Sequence, residues 1–229
     1  MFKMEVNKMI RNFIFDVDRT LIDSYKPELE TLQESLLIVT KKEYDATTMN
    51  KLTMLTTDEF FSELGIDENS ELMKQINHHW GRLLETRKLH FFEGIKEMLM
   101  KLKSEGCFLG IATSRTREEL EELDELLECI HLFDIVITSD LVKEPKPSPE
   151  SIEVIIVQHN LKREETIYIG DSPSDAVASK RANVKFGYAS WENKNSIPEY
   201  DYLFTKAEDI NSLFMQDNDF SKSTSCTIK

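Results

Sequence analysis

Four polar clusters along this chain carry side chains capable of phosphoryl chemistry. Asp16 and Asp18 stand two residues apart, followed by Thr20; Thr113 and Ser114 follow an apolar run; Lys146 sits in a Pro-rich loop; Asp171 and Asp175 follow Gly170. Two or more carboxylates at one place repel each other unless a cation compensates, and hard oxygen ligands with room for water suit magnesium. A carboxylate, a metal ion, a lysine and a hydroxyl together supply a nucleophile, a charge neutraliser and an oxygen clamp.

Those groups can meet only if something brings them together, and each follows an apolar run that reads as a strand. Phe13-Ile14-Phe15 ends at Asp16, Cys107 to Ala112 at Thr113, and Thr166 to Gly170 at Asp171. The run Asp134 to Ile137 leads into Thr138-Ser139-Asp140 and then the loop at 143–149, which holds Lys146. Helical spacings fall between them. One helix runs through Leu99 and Leu102 to Gly106, an acidic one buries Leu120, Leu123 and Leu127, and a third carries Ile152, Ile155, Ile156 and His159. A fourth begins at Pro173 and runs through Ala182. A strand at 184–189, Tyr202-Leu203-Phe204 and a helix through Ile210 and Leu213 complete the pattern. Strand–helix alternation over 89–215 predicts an α/β fold, a Rossmann-like parallel sheet with helices on both faces, whose strand C-terminal ends share one edge.

Residues 23–88 break the alternation with helices and no convincing strand. Pro27 opens a helix with Leu29, Leu32, Leu36 and Val39, and Asp58 begins a short one with Phe60, Phe61 and Leu64, stopped at Gly65. A longer one from about 68 to 86 places Leu72, Ile76, His79 and Leu83 on one stripe. The expected organisation is a catalytic core from 1–22 and 89–215, an inserted all-α cap domain at 23–88 with its hinge near Ser24 and Lys88, and a polar, disordered tail at 216–229. Met49, Met54, Phe60 and Phe61 suit a pocket lining or a cap core equally. His78 and His79 are adjacent and face different sides of a helix, so they form no chelating pair. Trp191 reads as core or rim packing.

The 229 residues carry a formal net charge of −14, with 40% apolar and 31% charged residues. That balance is ordinary for a soluble globular protein and argues against nucleic-acid or anionic-membrane partners. Cys107, Cys129 and Cys226 lack metal-ligand spacing and read as reduced thiols. With neither a secretory signal nor a segment long enough to span a bilayer, the expectation is a soluble, cytoplasmic protein, its oligomeric state open.

Asp16-Val17-Asp18-Arg19-Thr20, Thr113-Ser114, Lys146-Pro147 and Gly170-Asp171-Ser172-Pro173-Ser174-Asp175 resemble, in order, the four motifs of the haloacid dehalogenase superfamily. The resemblance spans about residues 11–215, and the insertion is similar to the helical cap of its phosphoglycolate-phosphatase-like branch. It implies that Asp16 attacks phosphorus to form an aspartyl-phosphate and that Asp18 is the general acid and base. It further implies that Thr113, Ser114 and Lys146 bind the phosphoryl oxygens. Magnesium would take a carboxylate oxygen of Asp16, the backbone carbonyl of Asp18, and Asp171, with Asp175 a further ligand or an orienting group. Three positions depart from the family habit: Arg19 and Asn183 replace common glycines, and Glu93 replaces a common proline. Arg19 either reaches towards the cap or points to solvent, and Asn183 tolerates left-handed backbone angles.

The implied activity is a magnesium-dependent phosphatase acting on a small phosphorylated metabolite. A phosphomutase similar to beta-phosphoglucomutase uses the same two aspartates. A non-catalytic, partner-binding member would not require Asp16, Asp18, Lys146 and Asp171 all to be intact. Dehalogenation fits Asp18 and Asp171 poorly, and none of Lys41, Lys42, Lys51 and Lys74 stands out as the Schiff-base lysine that phosphonate hydrolysis needs.

Overall fold

The computed structural model describes residues 9–50, 57–84, 86–191 and 199–214; Lys51, Met54, Cys226 and the tail at 216–229 lie outside them. Six strands form one parallel sheet: β1 (Asn12–Phe15), β4 (Phe108–Ala112), β5 (Ile135–Ile137), β6 (Thr166–Gly170), β7 (Lys185–Ala189) and β8 (Tyr202–Phe204). Their order is β5-β4-β1-β6-β7-β8, so β1 is central, between β4 and β6. All the strand runs anticipated from apolar composition are present in this sheet.

Strand alternation divides the sheet's side chains between two cores. Phe13 and Phe15, with Leu109, Ile111, Ile167 and Ile169, face one side. There they meet Met98, Leu99 and Leu102 of α5 (Ile95–Ser104) and Ile210 of a closing 3-10 helix (Ala207–Leu213). Ile14, Tyr168, Phe186 and Tyr188 face the other side. They meet Ile152, Ile155 and Ile156 of α8 (Glu150–Gln158) and Ala178 of α9 (Pro173–Arg181). Helices therefore cover both faces, and the central strands are buried throughout.

The acidic helix is two short ones, α6 (Arg117–Glu121) and α7 (Asp124–Cys129). A capping box between Thr116 and Glu119 starts the first, and the break at 122–123 advances the second. Leu126 is buried in consequence, whereas Leu127 is exposed, against the expected stripe. Cys107 and Cys129 are buried thiols, as anticipated.

Between β1 and α5 lies a third core, made wholly of residues 32–76. Leu32 and Leu36 of α1 (Tyr25–Thr40) pack with Met49 at α2 (Ala46–Asn50), Phe60 and Phe61 of α3 (Thr57–Glu63), and Met73 and Ile76 of α4 (Glu71–Leu84). Met49, Phe60 and Phe61 thus build this segment's own core. Helix α4 buries Met73 and Ile76 and leaves Leu72 exposed, so the stripe expected through Leu72, Ile76, His79 and Leu83 holds at Ile76, is half-buried at His79 and Leu83, and fails at Leu72, where Met73 turns inward instead. A buried bond from Ser35 Oγ to the Ile76 carbonyl, 2.8 Å, ties α1 to α4. One feature was missed: β2 (Ile22–Asp23) and β3 (His90–Phe91) pair antiparallel where the chain leaves and re-enters the sheet domain. Two-residue strands are too short to show alternation in a sequence.

Candidate active site

Asp16, Thr113 and Asp171 each follow the last residue of a neighbouring strand, and the ladder continues into the site. The Asp16 amide donates to the Ile169 carbonyl (2.9 Å) and the Thr113 amide to that of Ile137 (3.1 Å). Lys146 arrives from the loop beyond β5. It is largely buried and donates to Asp16 Oδ1 at 2.6 Å, to Asp175 Oδ1 at 2.8 Å and to the Tyr168 hydroxyl at 3.2 Å. Asp16, Asp171 and Asp175 each offer a carboxylate oxygen within 4.8 Å of the others, and all three are buried.

Asp175 is built in rather than merely nearby. Its Oδ2 accepts from the Ser172 amide and hydroxyl, completing the capping box that starts α9, while Oδ1 accepts from Lys146. The Tyr168 hydroxyl lies 3.1 Å from Asp175 Oδ1 and 2.9 Å from the Ala112 carbonyl, and its one proton serves one of them at a time. Gly170 leaves room for this: a Cβ there would fall 2.6 Å from Asp175 Cγ.

Three buried carboxylates gather around one ammonium, an excess of acidic groups whose mutual repulsion an added cation relieves. Burial, reinforced by Asp175 and Asp171, pushes the Asp16 carboxyl up to about 8 even though Lys146 opposes the shift. For Lys146, burial works against the charge, but Asp16, Tyr168 and Asp175 outweigh it and hold the ammonium well above its ordinary range. Hard oxygen donors in that excess fit a divalent cation. The donor set therefore fits the metal that the motifs imply.

The Asp18 carboxylate stands outside this cluster. Arg115 grips it with a two-pronged bond, Nε to Oδ2 at 2.8 Å and Nη2 to Oδ1 at 2.6 Å. Sequence reasoning passed over both Arg115 and Tyr168. Ser114 is exposed beside the buried Thr113, whose Oγ1 accepts from the Arg115 amide at 3.2 Å. Arg19 takes left-handed angles (φ 58°) and turns towards α1, pairing with Glu28 at 2.8 Å and lying over the Tyr25 ring. Asn183 takes left-handed angles too (φ 53°), as glycine would. Trp191 donates from Nε1 to the Thr20 carbonyl (2.8 Å), bracing the loop that holds Asp16 and Asp18.

The sequence pattern of haloacid dehalogenase-like hydrolases matches residues 13–189, and the chain belongs to that family. Pyrophosphatase PpaX of Bacillus mycoides is 27% identical over 209 residues, covering 88% of this chain and 95% of that protein. Among solved structures, a candidate phosphoglycolate phosphatase from Lactobacillus plantarum superposes with a TM-score of 0.72 and 26% identity. That match covers 90% of this chain and all of the other. A subfamily IA hydrolase of Geobacter sulfurreducens shares the fold, with a TM-score of 0.72 at 22% identity over 90% of this chain and 97% of its own. The chain is an enzyme of the family's phosphatase branch. Among the described residues no helix is long and apolar enough to cross a membrane.

Proposed function

We propose that the chain is a magnesium-dependent phosphatase that hydrolyses a small phosphorylated metabolite in the cytoplasm through an aspartyl-phosphate. The observation that carries this reading is Asp16, buried at the end of the central strand, inside a three-carboxylate cluster and 2.6 Å from Lys146. An Asp16 carboxylate oxygen bonds to phosphorus as the phosphorus–leaving-oxygen bond breaks, and the departing alkoxide takes a proton from Asp18. Asp18 then takes a proton from water, whose oxygen bonds to phosphorus as the bond to Asp16 breaks, releasing phosphate and restoring both aspartates. Lys146, Thr113 and the Ser114 backbone hold the transferring oxygens. Magnesium would be held by Asp16, the backbone carbonyl of Asp18 and Asp171, with Asp175 beside them orienting Lys146; when bound, it offsets the negative charge that builds on the phosphoryl group. Residues 23–88 act as a cap whose closure excludes water and selects the leaving group.

The test is turnover of p-nitrophenyl phosphate with magnesium, followed by a panel that includes pyrophosphate and 2-phosphoglycolate. Asp16→Asn should lose at least ~10³-fold in kcat, and EDTA should abolish activity that magnesium restores. Equal slow turnover by wild type and Asp16→Asn, or metal-independent turnover, refutes the reading.

A further inference from the structure

Asp18 lies two residues from Asp16, close to the three carboxylates that could hold a metal ion. A cation bound there would attract every free carboxylate in reach, yet the proton-transfer role needs Asp18 to stay off the metal. Among the described residues, Arg115 is the partner that holds the Asp18 carboxylate, and it occupies both oxygens. A planar fork that satisfies both oxygens fixes the orientation of a carboxylate as well as its position.

Arg115 is itself well placed to act as a fixed support. Its amide donates to Thr113 Oγ1, and its carbonyl accepts from the Ser139 amide at 2.9 Å, so its backbone is tied to the ends of β4 and β5. Burial works against the guanidinium charge, and the bonds to Asp18 outweigh it. The same side chain lines a cavity of about 600 Å³ shared with Ser24, Glu28, Gly81, Leu84 and Leu123, between the sheet domain and the helical segment. The Ser24 hydroxyl beside this cavity is buried and has no hydrogen-bond partner among the described residues.

We propose that Arg115 is a positioning residue: it holds the Asp18 carboxylate out of the Asp16–Asp171–Asp175 cluster and beside the cavity that receives the leaving group. The proposal rests on the phosphatase reading. The fork holds Asp18 as the carboxylate, so Asp18 releases one prong to take up the proton that it then gives to the departing oxygen. Loss of the fork frees Asp18 to turn towards the metal, and that oxygen then leaves without its proton donor. The cost depends on how badly that oxygen needs the proton. An alkoxide needs it, whereas p-nitrophenolate is stable enough to leave unprotonated.

The experiment compares wild type, Arg115→Ala and Arg115→Lys on β-glycerophosphate and p-nitrophenyl phosphate, each with saturating magnesium. Arg115→Ala should lower kcat roughly 10–100-fold on the alkyl ester and less than about 5-fold on the aryl ester, with KM changed by less than about 3-fold. Arg115→Lys, which keeps the charge and loses the fork, should fall between. In the Asp18→Asn background, Arg115→Ala should cost little more, because the two act as one unit. Equal losses on both esters, a raised KM with kcat intact, or additive losses with Asp18→Asn would each overturn the positioning role while leaving the phosphatase reading standing. A wild type that turns over neither ester with magnesium overturns both.

Discussion

Gly170→Ala tests how rigidly the site is built. The added Cβ would lie 2.6 Å from both Cγ and Oδ2 of Asp175 and 2.7 Å from its Cβ. Ordinary contact needs about 0.8 Å more. Asp175 has nowhere to give: it is fully buried, and its oxygens are engaged by Lys146 (2.8 Å), Ser172 Oγ (2.6 Å) and the Ser172 amide (3.1 Å). Moving it by that amount takes the Lys146 bond to roughly 3.6 Å and the Ser172 amide bond to roughly 3.9 Å, beyond hydrogen-bond range. Overpacking and one or two weakened charged bonds together cost about 2–4 kcal/mol, or about 5–15 °C in Tm for a chain of this size. Because Asp175 also holds Lys146 against Asp16, kcat should fall at least ~10-fold with magnesium present. Gly110→Ala is the control: there the Cβ meets only side-chain atoms at 3.4–3.5 Å, and less than about 1 kcal/mol is expected. Thermal melts and aryl phosphatase assays on both variants decide it. If Gly170→Ala melts within a degree of wild type and keeps full kcat, Asp175 is not the rigid strut described above.

Three further outcomes are expected. In chelated protein the folded Asp16 carboxyl keeps its proton up to about 8, against an unfolded value near 3.8. Its contribution to stability is therefore complete below the unfolded pKa and drains away as pH rises through about 8, by at most ~1.4 kcal/mol per pH unit. Melts from pH 5 to 9 in EDTA should show a steeper decline for wild type than for Asp16→Asn, and parallel curves would contradict this. Arg19→Gly relieves left-handed backbone but gives up the Glu28 pair, and denaturant titration should find the two effects cancelling to within about 1 kcal/mol. Ser35→Ala removes the bond that joins α1 to α4 and should cost about 1 kcal/mol in the same titration.

The sheet was legible because a doubly covered parallel strand is a short apolar run, and Phe13 to Phe15 or Ile167 to Ile169 can hardly be anything else. The candidate site residues stood out because they follow such runs, directly as Asp16, Thr113 and Asp171 do or in the loop beyond as Lys146 does, in an order that resembles a known family. The capping box that Ser172 and Asp175 form was not read from the sequence and emerges only in the structure. Arg115 was invisible for the opposite reason. Its partner lies 97 positions away, and a single arginine after Thr113-Ser114 has no spacing to announce it. Tyr168 reads as one more core aromatic until the fold sets its hydroxyl beside Lys146 and Asp175. Helix faces in the acidic stretch slipped because a break at 122–123 resets the phase, which periodicity alone cannot register.

The short ribbon formed by β2 and β3 has an evolutionary consequence. It clasps the outgoing and returning strands of chain side by side, with the Phe92 amide closing on the Leu21 carbonyl at 3.0 Å. From the sheet's side, everything between those two points is one long excursion that begins and ends at the same doorway. The excursion has its own core and lends none of it to the strands. It can therefore be exchanged, lengthened or re-lined without shifting the register of the strands that hold Asp16 and Asp171. On the phosphatase reading proposed above, selection can thus trial new leaving groups while the residues at the strand ends stay in place.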